Sequence, residues 1–152
     1  MSVAFRRESD EEHLEPRFEL PIPPGPNLVT PAGLAQIDAR IAELTAAIAA
    51  GPDELSLADA QRSLRYWRTR LATAQLAPPP PAAEVGIGSR VTFRLRGAVR
   101  TLTLVGHDEA DPEHGLVAYS APLARALIGA GVGDTADFAG EEDAIEVLDI
   151  SS

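Results

Sequence analysis

Three carboxylates, Asp53, Glu54 and Asp59, crowd just after a Gly51-Pro52 pair. Oxygen ligands of this kind suit Mg²⁺, and a divalent ion held at a projecting tip can activate water in another molecule's active site. Acids at the start of a helix also offset its dipole, so the same residues have a structural reason to stand there. A second group, His107-Asp108-Glu109-Ala110-Asp111-Pro112-Glu113-His114, is dense in metal-ligand types. It lacks the alternating acids, the glycine and the distant glutamate of a calcium loop, so a turn with solvated acids is expected. Gly129-Ala130-Gly131-Val132-Gly133 mimics a phosphate loop, but it follows a predicted helix, and Asp134 stands beside it. A helix end and a turn are expected there instead. Serine, histidine and acids occur, yet no G-x-S-x-G, H-E-x-x-H or P-loop is present. The chain is therefore not expected to be an enzyme in its own right.

Composition narrows the classes further. The 152 residues suffice for one modest core or two small ones. No run of about 20 apolar residues exists, and Met1 to Arg17 is polar, so neither a membrane span nor a secretory leader is expected. The absence of cysteine excludes disulfides, thiolate metal sites and a cysteine nucleophile. Thirteen basic residues, all arginine, face 23 acids, for a net charge of −10. Phosphate backbones repel such a chain, so direct sequence-specific binding of nucleic acid is not expected. A cytoplasmic monomer with no membrane partner is the expectation.

The elements that must position these residues fall into four stretches. Residues 1–29, charged and then rich in proline, look like a disordered tail. Residues 30–77 look like two helices. Thr30-Pro31 supplies an N-cap and a proline at the first helical position. Leu34, Ile37, Ile41, Leu44 and Ile48 then step by 3, 4, 3, 4, and Leu57, Ala60, Leu64, Trp67, Leu71 and Ala74 repeat the pattern. Two such seams joined at Gly51-Pro52 predict an antiparallel helical hairpin, with the three acids at its tip. Arg62, Arg65 and Arg68 share a face of the second helix, expected to be solvated. Pro78 to Pro81 open a stiff linker over 78–84. Residues 85–152 show strand alternation at Val91, Phe93 and Leu95, further strands at 99–105, 116–119, 134–138 and 145–150, and a short helix at 122–128. That is a small α+β domain on an antiparallel sheet.

Within that domain the run Val105-Gly106-x-x-Glu109-Ala110-Asp111-Pro112-x-x-Gly115 leads into Tyr119-Ser120-Ala121-Pro122-Leu123-Ala124-Arg125-Ala126-Leu127-Ile128-Gly129 and Val132-Gly133-Asp134. It resembles the C-terminal domain of the bacterial GreA/GreB transcript-cleavage factors. Gly88-Ser89-x-Val91 fits the domain's opening, and Val29-Thr30-Pro31-x-Gly33-Leu34 looks like the family's entry to its first helix. The resemblance implies an N-terminal coiled coil followed by an FKBP-like domain. It implies docking of that domain at the rim of the RNA polymerase secondary channel, with Asp111, Pro112, Ser120, Pro122 and Leu123 near the contact. It also implies a coiled coil entering the channel, where two tip acids hold a catalytic Mg²⁺ shared with the polymerase.

The chain departs from that pattern at the tip. The family's D-L-S-E-N-A-E-Y is met by Glu54-Leu55-Ser56-Leu57, which puts leucine at the second acid. Asp53 or Asp59 would have to substitute. Both arms are also shorter, and two missing turns withdraw a tip by about 11 Å. No resident cofactor is expected beyond such a shared tip ion. The expectation is a polymerase-binding elongation factor that modulates elongation, with robust transcript cleavage disfavoured. The short arm also resembles Rnk, described as a regulator of nucleoside diphosphate kinase, so that kinase is the alternative partner. An FKBP-like fold further suggests a prolyl isomerase, but only Phe93, Tyr119 and Phe138 supply aromatics to this domain.

Overall fold

The computed structural model describes residues 19–152. The tail expected over 1–29 lies mostly outside the described residues, and its last part is not a tail. Asn27–Val29 forms strand β1, in parallel register with β2, Ala74–Leu76. Asn27 and Val29 are buried there, and the Asn27 amide donates to the Arg70 carbonyl at 2.8 Å.

Between the two strands stand α1, Pro31–Ala49, and α2, Glu54–Thr73, which pack on each other. Thr30 caps α1 by accepting from the Gly33 N–H at 3.1 Å. Pro31 follows, where its missing N–H costs nothing. Gly51, in the connection between the helices, has φ +72°, a conformation that a side chain would resist. Asp53 caps α2. The seam residues Ile37, Leu44 and Leu64 are buried. Trp67 is only half-buried, with the Arg40 guanidinium 5.8 Å from its ring centre. Leu71, expected in the seam, is 39% exposed, and Ala74 has left the helix for β2. The reason is Arg70, 1% exposed: the base of α2 turns its buried side toward the C-terminal body rather than toward α1.

The body is a five-stranded sheet in the order β5-β4-β3-β7-β6. Its strands are β3 (Arg90–Leu95), β4 (Ala98–Val105), β5 (Leu116–Ala118), β6 (Thr135–Phe138) and β7 (Glu141–Ser151). Alternation in β3 buries Val91, Phe93 and Leu95, and the short α3, Pro122–Leu127, adds Ala124 and Leu127 to the same core. The sheet is not antiparallel throughout, as the sequence suggested. β5 runs parallel to β4, because residues 106–115 form two 3₁₀ turns that carry the chain back before it pairs. Gly129 to Gly133 is a turn, and the Asp134 carboxylate accepts from the Gly131 N–H at 2.8 Å, which occupies a donor that a phosphate would need. Among the described residues no helix is long and apolar enough to cross a membrane.

Candidate functional site

Two of the three tip carboxylates, Asp53 and Asp59, are engaged within their own helix. One Asp53 oxygen accepts from the Ser56 N–H at 2.8 Å and the other from the Ser56 hydroxyl at 3.1 Å. Those bonds, the backbone one first, hold its carboxyl below the usual range. Asp59 pairs with Arg62 at 3.0 Å. Glu54 is exposed on the first turn. Leu57, standing at the second acid of the resembled pattern, is half-buried. Among the described residues no three His, Cys, Asp or Glu are grouped to hold a metal ion. The tip therefore does not fit a Mg²⁺ site of its own. Among these exposed acids Leu55 also points outward, 80% exposed.

The five expected docking residues flank β5. Asp111 pairs its backbone with Leu116 at the start of the strand, and its carboxylate meets His114 Nδ1 at 2.7 Å. Pro112 is exposed beside it, at the head of the second 3₁₀ turn. Ser120 and Pro122 are exposed beyond the strand's other end, and Leu123 is half-buried against the core. The residues thus form two groups, one at each end of β5. His107 ties the second group to the turn, with Nε2 2.6 Å from Ser120 Oγ and its ring tilted against Tyr119.

The densest polar constellation lies elsewhere, where the helices meet the body. Asp108 and Glu109, expected as solvated acids, are not solvated. The Asp108 carboxylate accepts from Arg70 Nε at 2.7 Å and from the Tyr66 hydroxyl. Arg70 donates a second bond to Asn27 Oδ1 at 2.7 Å. The Glu109 carboxylate accepts from the backbone N–H groups of Thr30 at 3.1 Å and Gly106 at 3.0 Å, and from the Thr30 hydroxyl. Burial pushes the Tyr66 hydroxyl up to about 12, and the neighbouring Asp108 adds to the rise.

Two glycines make this closeness feasible. A Cβ at Gly33 would overlap the Glu109 carboxyl, and one at Gly106 would lie 2.6 Å from the Leu28 carbonyl. Glu109, Gly106, Gly33 and Thr30 all belong to stretches that carried the family resemblance, but nothing in the sequence joined the two stretches. Arg70 and Tyr66 had no signal, being one arginine in a series and one aromatic beside another.

Residues 80–152 match the family model for the Transcription elongation factor, GreA/GreB, C-term. Over these residues the chain belongs to the GreA/GreB C-terminal domain family. The Transcription elongation factor GreA of Nitratiruptor sp. is 39% identical over 89 residues, covering 56% of this chain and 53% of that protein. The GreA of Verminephrobacter eiseniae is 41% identical over 76 residues, covering 45% and 46%. The chain thus spans about half the length of the Gre relatives it matches. The Gfh1 protein of Thermus thermophilus aligns over 84% of this chain and 100% of its own, at 19% identity and a TM-score of 0.39. A GreA/GreB structure from Nitrosomonas europaea aligns over 83% and 99%, at 20% identity and 0.41. Membership rests on the C-terminal sequence match and not on these loose superpositions.

Proposed function

We propose that this Gre-family chain binds RNA polymerase through its C-terminal body and modulates elongation from the secondary-channel entrance, without stimulating transcript cleavage. The observation that carries the reading is the match of residues 80–152 to the GreA/GreB C-terminal domain, the part that the resemblance makes the docking module. The exposed rim around β5, with Asp111, Pro112, Ser120 and Pro122, is its contact surface. Support for the absence of cleavage comes from the tip: Asp53 is held by Ser56 and Asp59 by Arg62, and leucine stands at the second acid. Helices of 19 and 20 residues reach about 30 Å at most. A tip that cannot approach the reacting atoms gains nothing from proximity.

The finer fold belongs with this reading. The short connection from Ala49 to Glu54 and the packing of the two helices on each other support an antiparallel coiled-coil hairpin. The body is FKBP-like. The protein acts as a monomeric, cytoplasmic accessory factor with no chemistry of its own and no direct contact to specific bases.

Titrating fluorescently labelled full chain with core RNA polymerase tests the proposal. Saturable binding is expected, weakened about tenfold or more by the double variant Asp111→Arg/Pro112→Glu, as for a central interface residue. Thr45→Ala on exposed α1 leaves it unchanged. No binding by the parent chain, or equal binding by the double variant, contradicts the reading.

A further inference from the structure

We propose that Glu109 and Asp108 form a latch that fixes the angle at which the helical pair leaves the C-terminal body, with Glu109 and Arg70 as its positioning residues. The proposal rests on the reading above only for what the fixed angle is used for. The geometry stands alone.

The connections between the two parts would otherwise leave them free. The chain passes from the helical part to the body only once, through the linker at residues 77–84. A proline-rich linker is a semi-rigid spacer and does not dictate an angle. What dictates it is the pair of carboxylates on the first 3₁₀ turn, each gripping a different helix.

Glu109 holds α1 by its cap. The Thr30 hydroxyl donates to Glu109 while accepting from the Gly33 N–H, so the same oxygen that starts the helix is bonded to the body. The Thr30 backbone N–H adds a second bond, and the Gly106 N–H completes the carboxylate from the body side. Asp108 holds α2 by its base, through Arg70 and Tyr66. Arg70 passes the grip on to Asn27, whose amide returns to the Arg70 carbonyl and the Thr73 hydroxyl. Gln36 on α1 reaches the Asp108 carbonyl at 3.3 Å.

Two grips on two helices, made by adjacent residues, remove rotation about either one. Burial makes them stiff: Arg70 is 1% exposed and Glu109 9%. Removing one partner while the joint stays closed would leave the other charge buried without its counter-ion, which is far more costly than losing an exposed pair. Specificity of geometry, rather than net stability, is what such a buried ionic group supplies in systems where it has been established.

The protein has no cysteine, so two can be placed for spin labels, at Ala47→Cys on α1 and Glu142→Cys on β7, both exposed. The labelled full chain should give one narrow distance distribution. Glu109→Gln keeps an oxygen for the two backbone N–H groups and should keep that distribution. Glu109→Ala should broaden or shift it while the far-ultraviolet spectrum and the melting of the body stay as in the parent. Gly33→Ala, which pushes the carboxyl aside, should do the same and serves if Glu109→Ala does not fold.

In polymerase assays both disruptive variants should bind as the parent does, yet their effect on elongation should fall by roughly 10- to 100-fold, the scale of a misplaced group. A distribution in Glu109→Ala and Gly33→Ala as narrow and as centred as the parent's overturns the latch. A parent chain that does not bind polymerase would sink the functional reading alone, because the distance measurement needs no polymerase.

Discussion

The C-terminal body closes around eleven buried residues, among them Phe93, Leu104, Leu127 and Ile145, whereas the two long helices bury only Ile37, Leu44 and Leu64 of their apolar seam. The difference follows from geometry. A sheet with a helix laid on it surrounds its core, but two helices cover each other on one side only, and Leu34, Ile41, Ile48 and Trp67 stay half-open. The pair therefore cannot draw its orientation from a core. It draws it from polar groups at its base, where Arg70, Asn27, Asp108 and Glu109 are buried or nearly so. One region is held by area and the other by direction.

Substitutions should expose that division. Phe93→Ala has the largest expected effect, about 3–5 kcal/mol of unfolding free energy. It should abolish cooperative melting of the body, as read by calorimetry. Asp108→Ala leaves Arg70 buried without its partner and should cost about 3 kcal/mol, at the low end for a broken buried pair. Denaturant titration should place that loss in the helical signal before the sheet signal. If Asp108→Ala and Phe93→Ala lowered both signals equally, the two regions would be one cooperative unit and the comparison would fail.

The region held by area was the more legible one. Alternation at Val91, Phe93 and Leu95 and the proline at Pro122 declare the strand and the short helix directly. The 3, 4, 3, 4 steps declared α1 over its full length. What escaped was directional. No periodicity marks Asn27–Val29 as a strand, since its partner lies 47 residues on, in a register that only the folded helices create. The same holds for Arg70. Its position differs from those of Arg65 and Arg68 only by what faces it, and that is a tertiary fact. Asp108 and Glu109 looked like solvated turn acids for the same reason. The parallel turn of β5 was hidden because two 3₁₀ turns leave no hydrophobic pattern.

The docking rim and the tip stood differently. The tip was read from the three acids that follow Gly51-Pro52, and the docking residues were named by the family resemblance alone. Asp111, Pro112, Ser120, Pro122 and Leu123 carry no chemistry that composition alone would single out.

Two smaller effects sharpen the comparison through pH. The Tyr66 hydroxyl, raised to about 12 by burial and by Asp108, favours the folded state only while it is protonated. Its contribution is complete below the ordinary tyrosine value near 10 and is lost as pH rises through 12. Ultraviolet titration should show a tyrosine transition near 12 that is absent in Tyr66→Phe. Asp53 has the opposite sign. Its carboxyl is held low by the Ser56 bonds, so its contribution is present above the ordinary aspartate range and fades as pH falls through the folded value. Asp53→Ala should fray only the start of α2, read as faster amide exchange at Leu55 to Leu57, and should leave the body's exchange unchanged.

The most direct measurement adds the purified chain to a backtracked elongation complex in Mg²⁺ and reads polymerase binding and transcript length together. Binding through the body with transcripts left at full length is the predicted result. Transcripts shortened at a rate typical of a full-length cleavage factor would contradict it, because a tip with Asp53 and Asp59 already engaged would then have reached the active centre.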